Sequence, residues 1–270
     1  MRKLNPRRSI AVLREELPFG RFIPNALTLL GLCTGATAIR FALSGHWQAA
    51  VVAIVIAAVL DTLDGRIARL LGLESKFGAQ LDSLADLVSF GIAPAVLVYM
   101  WTLYHGGGAG WTIALVSCAC CAIRLARFNI QSDELDEDGA PAEHFTGVPA
   151  PAAACLILLP MLLSFQGPAT WLRDPFFNGG WMAFVSLLMV SRLPTMSLKN
   201  LYVPKRLAAP VIAVAAGLVM CAVVWPWATL SAAGLLYFGA LPFGSRPPGR
   251  IRQNFTRPAP EGSLPVIADE

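Results

Sequence analysis

Eight apolar runs, at approximately residues 24–43, 47–71, 79–103, 110–130, 148–166, 178–194, 208–226 and 228–243, divide this chain. An α-helix rises about 1.5 Å per residue, so a run of about 20 apolar residues matches the hydrocarbon thickness of a bilayer. A helix also satisfies its own backbone hydrogen bonds where there is no water. The expected fold is therefore all-α, a polytopic membrane helix bundle. Composition agrees, with 56% hydrophobic and 14% charged residues, against roughly 25% charged in an ordinary soluble domain. The net charge of +4 does not point to nucleic acid, because the basic residues sit between the apolar runs. With the N-terminus cytoplasmic, 19 of the 21 lysines and arginines fall on that side, leaving Arg40 and Arg173 outside. That bias follows the positive-inside rule, and an even number of spans returns the C-terminus to the cytoplasm.

The polar residues inside these runs carry the chemistry. Four aspartates occur in the order Asp61-x2-Asp64-Gly65-x2-Ala68-Arg69-x8-Gly78-x3-Asp82-x3-Asp86. One carboxylate at mid-bilayer costs about 2.5–3.5 kcal/mol, so four deep, unpaired ones would oppose insertion by about 10 kcal/mol. At 100° per residue Asp61, Asp64, Gly65, Ala68 and Arg69 share a helix face, as do Gly78, Asp82 and Asp86. A short connection makes the two helices antiparallel neighbours, so the acidic faces meet at one depth near the cytoplasmic ends. Two hard divalent cations, Mg²⁺ or Mn²⁺, would relieve the repulsion and clamp a phosphate undergoing in-line displacement. Gly65 and Gly78 would let a bulky ligand approach the backbone, and Arg69 offers a fork for phosphate oxygens. The competing reading pairs the aspartates with Arg66, Arg69 and Lys76 for structure alone; the excess of acidic groups on converging faces weighs against it.

This pattern resembles the defining motif of the CDP-alcohol phosphatidyltransferases, with every fixed position and spacing present. The resemblance implies a six-helix membrane core, usually homodimeric, that moves a phosphatidyl group from a CDP-linked lipid to an alcohol and releases CMP. It implies that Asp61, Asp64 and Asp82 hold metals, and that Asp86 completes the second metal site and takes the acceptor's proton. It also implies that Gly65 and Arg69 contact the CDP moiety. Pro24-Asn25-x2-Thr28 is similar to the family's first helix, where Asn25 and Thr28 would face the nucleotide diphosphate; Asn25 as a plain helix cap is the other reading. Residues 77–95, 124–129 and 145–152 resemble the membrane-type phosphatidylserine synthase branch of bacteria, which makes CDP-diacylglycerol and serine the expected substrates. Serine's carboxylate would need a cation. Arg124 and Arg127, at i and i+3 on one helix face, would supply it or bind lipid phosphate, or else mark the inner membrane boundary. Glycerol 3-phosphate, inositol phosphate or choline are alternative acceptors. A cation-coupled transporter, with span three broken at Gly91 and Pro94, is a further reading from another class.

The expected organisation is a basic arm over 1–23, a catalytic core over 24–197, two additional spans over 198–243 and a disordered cytoplasmic tail over 244–270. The first span starts at Pro24-Asn25 and is read as retained, since Ala36-Thr37-Ala38 lies inside the apolar run and not after it. The expected location is the bacterial inner membrane, among membrane lipids and without nucleic acid. Asp133, Glu134, Asp136, Glu137, Asp138 and Glu143 are read as a solvated acidic loop. The six cysteines lie in apolar segments without metal-ligand spacing and are read as packing residues. The three histidines are assigned no role.

Overall fold

The computed structural model describes residues 22–73, 75–138, 147–167, 169–191, 217 and 220–244. Most of the basic arm, most of span seven and the tail from 245 lie outside the described residues. Among the described residues seven long helices follow one another: α1 (Phe22–Leu43), α2 (Trp47–Leu71), α3 (Lys76–Trp101), α4 (Gly107–Asp138), α5 (Ala150–Ser164), α6 (Pro175–Val190) and α7 (Pro226–Gly244). No strand occurs among the described residues. α1, α3 and residues Leu103–Gln131 are long and apolar enough to cross a membrane. The chain is an all-α membrane helix bundle.

α1 and α2 form an antiparallel pair that turns at Gly45, whose φ of 73° suits glycine. The buried face of α1 is a stripe of mostly small residues, Pro24, Thr28, Gly31, Gly35, Ala38 and Ala42, at helical spacing. Small residues let helices approach closely where water supplies no driving force. At Gly35 the approach is closest: a Cβ there would lie 2.8 Å from Ser89 Cα of α3.

α2 closes at Gly72, in a left-handed conformation with φ 62°. Leu73 N–H reaches back to Ala68 O at 2.9 Å and Gly72 N–H to Arg69 O at 3.2 Å, the paired bonds of a Schellman ending. The chain then re-enters helix at Ser75, whose Oγ accepts from Gly78 N–H at 3.0 Å and so caps α3. α3 does not break at Gly91 and Pro94. It widens into a π turn at Leu87–Ile92 and continues as α-helix from Ala93. Pro94 has no N–H and crowds the carbonyl four residues back, and the wide turn absorbs that conflict. Gly91 is needed on the same stretch, because a Cβ would stand 3.1 Å from both Cys121 Cβ and Sγ on α4.

α5 is the central helix: Ala150, Ala153, Ala154 and Leu156–Leu162 are all buried. α6 is capped by Asp174, whose Oδ2 accepts from Phe177 N–H at 2.8 Å. α7 lies along α5. Its Ser231 hydroxyl receives Gln166 Nε2 at 2.7 Å, and Trp227 and Phe238 make edge-on ring contacts with Phe165 and Trp181.

Two expectations about ends are corrected. α1 is already helical at Phe22, so Asn25 lies inside the helix and is not its cap; Pro24 is tolerated in a first turn because its missing N–H has no helical partner there. The stretch Asp133–Asp138 is not loop but the end of α4. Between Gly110 and Gly139 the chain has neither Gly nor Pro, and Glu, Leu and Gln are good helix formers. At about 1.5 Å per residue the 32-residue α4 is about 48 Å long and outruns the hydrocarbon core. All six cysteines are free, with Cys121 fully buried and Cys33 and Cys221 exposed.

Candidate active site

The aspartates of α2 and α3 meet beside α1. The front of α3 packs on α1, and Thr28 and Gly31 of α1 line the same cleft as the four aspartates, with Ala57 of α2 and Ala85, Ser89 and Phe90 of α3. The cleft is narrow, with little free space between these side chains, far less than a pocket that encloses a whole small-molecule ligand. It suits the reacting groups of a ligand whose bulk lies outside.

One carboxylate oxygen from each of Asp61, Asp64 and Asp82 lies within 4.8 Å of the others. Oxygens bound to one Mg²⁺ or Ca²⁺ sit about 2.0–2.6 Å from the ion, so two of them span at most about 4–5 Å, and this spread is close to what one cation draws together. At an effective dielectric of about 20, like charges at that separation repel by about 3.5 kcal/mol per pair. Asp86 stands within hydrogen-bonding reach of Asp61. Two carboxylates approach that closely only when a proton or a cation lies between them.

Asp64 gives the sharpest test of fit for a metal. It is 3% exposed. Its Oδ2 accepts the Thr28 hydroxyl at 2.5 Å, while its Oδ1 has no hydrogen-bond partner. A buried carboxylate oxygen without a partner is costly. A hard cation supplies what is missing, and the all-oxygen donor set suits one. The aspartates therefore fit a divalent metal. The purely structural ion-pair reading does not fit: Arg66 and Lys76 are exposed, and Arg69 turns its Nε to Gly65 O at 3.0 Å.

The remaining expected residues divide between the site and its surroundings. A Cβ on Gly65 would meet only Arg69 Nη2, at 3.8 Å, so the protein itself does not require glycine there. At Gly78 the space is taken, since a Cβ would lie 3.1 Å from Ser75 Oγ and 3.2 Å from Asn25 Oδ1. Asn25 thus packs on the start of α3, one turn before Asp82. Arg124 is half-buried on α4 and is an electrostatic neighbour of Asp86. Its Nε has no hydrogen-bond partner. Arg127 points elsewhere: its Nη1 donates to Val190 O at 3.0 Å and ties α4 to the end of α6. Gly31 and Ser89 were not among the expected site residues; the signal for Gly31 is the small-residue spacing of α1, and Ser89 lies within the 77–95 stretch of α3. Ser83 Oγ donating to Asn129 Oδ1 at 3.0 Å, which links α3 to α4, was also missed.

A bundle of apolar helices with carboxylates converging on one cleft, one buried carboxylate oxygen among them without a protein partner, defines a membrane-embedded site suited to a divalent metal and a phosphate. The profile of the CDP-alcohol phosphatidyltransferases matches residues 21–241, and the chain belongs to that family. The match includes α7. The chain is 38% identical over 223 residues to the CDP-diacylglycerol–serine O-phosphatidyltransferase of Mycobacterium leprae, covering 83% of this chain and 74% of that protein. It is 36% identical over 226 residues to the protein of the same name from Mycobacterium tuberculosis, covering 84% and 79%. With the one from Methanocaldococcus jannaschii it shares 33% over 172 residues, 63% of this chain and 71% of the relative.

Proposed function

We propose that this protein transfers the phosphatidyl group of CDP-diacylglycerol to L-serine, giving phosphatidylserine and CMP. The observation that carries the proposal is the convergence of Asp61, Asp64 and Asp82 within 4.8 Å, with Asp86 beside them. The names of the relatives support serine as the acceptor.

In this reading Asp61, Asp64 and Asp82 hold divalent metal, Mg²⁺ or Mn²⁺, and Asp86 completes a second metal position. Bound there, the metal ions stabilise negative charge on the phosphate oxygens and on the leaving CMP. Asp86 accepts the proton of the serine hydroxyl. The serine oxygen forms a bond to the phosphorus that carries diacylglycerol, and the bond from that phosphorus to CMP breaks. Thr28 holds Asp64 by its Oδ2 so that Oδ1 faces the cleft. Gly65 leaves room for the CDP moiety and Arg69 pairs with its phosphates, with Asn25 at the same edge. Arg124 receives the serine carboxylate. Arg127 keeps one donor on Val190 O and turns the rest toward lipid phosphate. The protein works as a homodimer in the bacterial inner membrane, with both termini cytoplasmic.

The test supplies purified protein with CDP-diacylglycerol, Mn²⁺ or Mg²⁺, and labelled serine, glycerol 3-phosphate, inositol phosphate or choline in competition. Labelled phosphatidylserine and stoichiometric CMP are expected. Product from another acceptor, and none from serine, would remove the serine assignment and keep the reaction class.

A further inference from the structure

The last helix carries a polar group that no motif predicts. On α7 the residues Trp227, Leu230, Ser231, Gly234, Tyr237, Phe238 and Leu241 follow one another at helical spacing, and all but Ser231 and Gly234 pack against the apolar core. Those two are buried, Ser231 against Gln166 and Gly234 against α5, where a Cβ would come within 3.2 Å of Leu159 Cδ1. The rotation of α7 is thereby set, and Tyr237 faces the bundle. From Ser231 to Tyr237 the helix advances about 9 Å. That takes Tyr237 away from the Gln166 end of α5 and toward the end of the bundle that holds Arg124.

Tyr237 OH and Arg124 Nε are both buried polar atoms with no hydrogen-bond partner. They are electrostatic neighbours, and Arg124 is in turn a neighbour of Asp86. Arg124 can only donate, and a tyrosine hydroxyl can donate as well. A single ligand group that satisfies both must accept hydrogen bonds, and beside a guanidinium it is most favourably an anion.

We propose that Tyr237 is a specificity-determining residue, and that the carboxylate of the acceptor amino acid sits between its hydroxyl and Arg124 while the acceptor's own hydroxyl reaches Asp86. This rests on the reading of serine as the acceptor. It gives α7 a task in the reaction: it supplies one wall of the acceptor subsite. Without α7 the subsite would keep its cation and lose the second donor that helps it hold an anionic acceptor over a neutral one.

The experiment compares the full-length parent with Tyr237→Phe, which keeps the ring and removes the hydroxyl. A lost hydrogen bond to a charged group is expected to raise KM for serine about 10–100-fold, with kcat and the KM for CDP-diacylglycerol within about twofold of the parent. Inhibition by serinamide, which lacks the carboxylate, is the second measurement. The parent should prefer serine over serinamide strongly, and the preference should shrink by the same factor in the variant. An unchanged serine KM, or an equal loss toward serine and CDP-diacylglycerol, would overturn the role of Tyr237 while leaving serine as substrate. Should Tyr237→Phe fail to fold, a parent that does not discriminate serine from serinamide overturns the carboxylate subsite, and one that does supports it. A parent that incorporates another alcohol and no serine would overturn this inference together with the reading it rests on.

Discussion

Thr28→Val tests whether α1 takes part in the site or only supports it. Valine has nearly the shape of threonine and lacks the hydroxyl that stands 2.5 Å from Asp64 Oδ2. Asp64 is 3% exposed, so water does not readily replace the lost donor. A hydrogen bond to a charged group contributes about 1.5–3 kcal/mol. If that energy orients the carboxylate toward metal, its loss weakens metal binding by about 10–100-fold, the range seen when partners of metal ligands are removed. The assay titrates Mn²⁺ into purified, metal-stripped protein and follows CMP release, with Mn²⁺ binding measured separately by paramagnetic resonance. The midpoint should move to higher Mn²⁺ by that factor, activity should largely recover at saturating metal, and Thr28→Ser should restore the parental midpoint. A midpoint within about threefold of the parent in Thr28→Val would refute the reasoning, because a hydroxyl that orients a ligand cannot be dispensable for that ligand's affinity.

The two motif glycines should respond differently. Gly65→Ala should keep the parental thermal midpoint, since its Cβ would touch only Arg69 Nη2 at 3.8 Å, while raising the KM for CDP-diacylglycerol at least tenfold. Gly78→Ala should instead lower the midpoint in detergent, because Ser75 Oγ and Asn25 Oδ1 at 3.1 and 3.2 Å must move to admit the methyl. Gly35→Val should destabilise by about 1–3 kcal/mol or more, as overpacking does, read as thermal unfolding; an unchanged midpoint would contradict the close approach of α1 and α3. Chelation by EDTA should abolish CMP release and lower thermal stability, and added Mg²⁺ or Mn²⁺ should restore both by mass action.

The aspartate site was legible in the chain because charge in an apolar run is costly and because helical periodicity assigns each carboxylate to a face. α1's part in it was harder to see. Its small residues at 24, 28, 31, 35, 38 and 42 follow helical spacing, but spacing alone does not say which neighbour they admit. The end of α4 was misread because its acidic residues were weighed for charge, whereas the nearest breakers, Gly139 and Pro141, set how far a helix can run. Asn25 was offered as a cap from residue type alone, and capping depends on where the helix begins. Arg124 and Arg127 share a helix face, yet long side chains diverge, and the carbonyl at Val190 claims only the second. Tyr237 had no readable signal, since its neighbour is more than 100 positions away in sequence.

The π turn that follows Asp86 has a mechanical consequence. It inserts one residue into the spiral between Asp82–Asp86 and the anchoring segment from Ala93 onward, and each residue of an α-helix turns about 100°. Deleting a single residue between 87 and 92 would let this segment relax to regular pitch. Because the wider turn takes up the extra residue, both halves would keep nearly the same faces, with Asp82 and Asp86 still toward the cleft, whereas the same deletion in a regular stretch of α3 would swing one half against the other by about 100°.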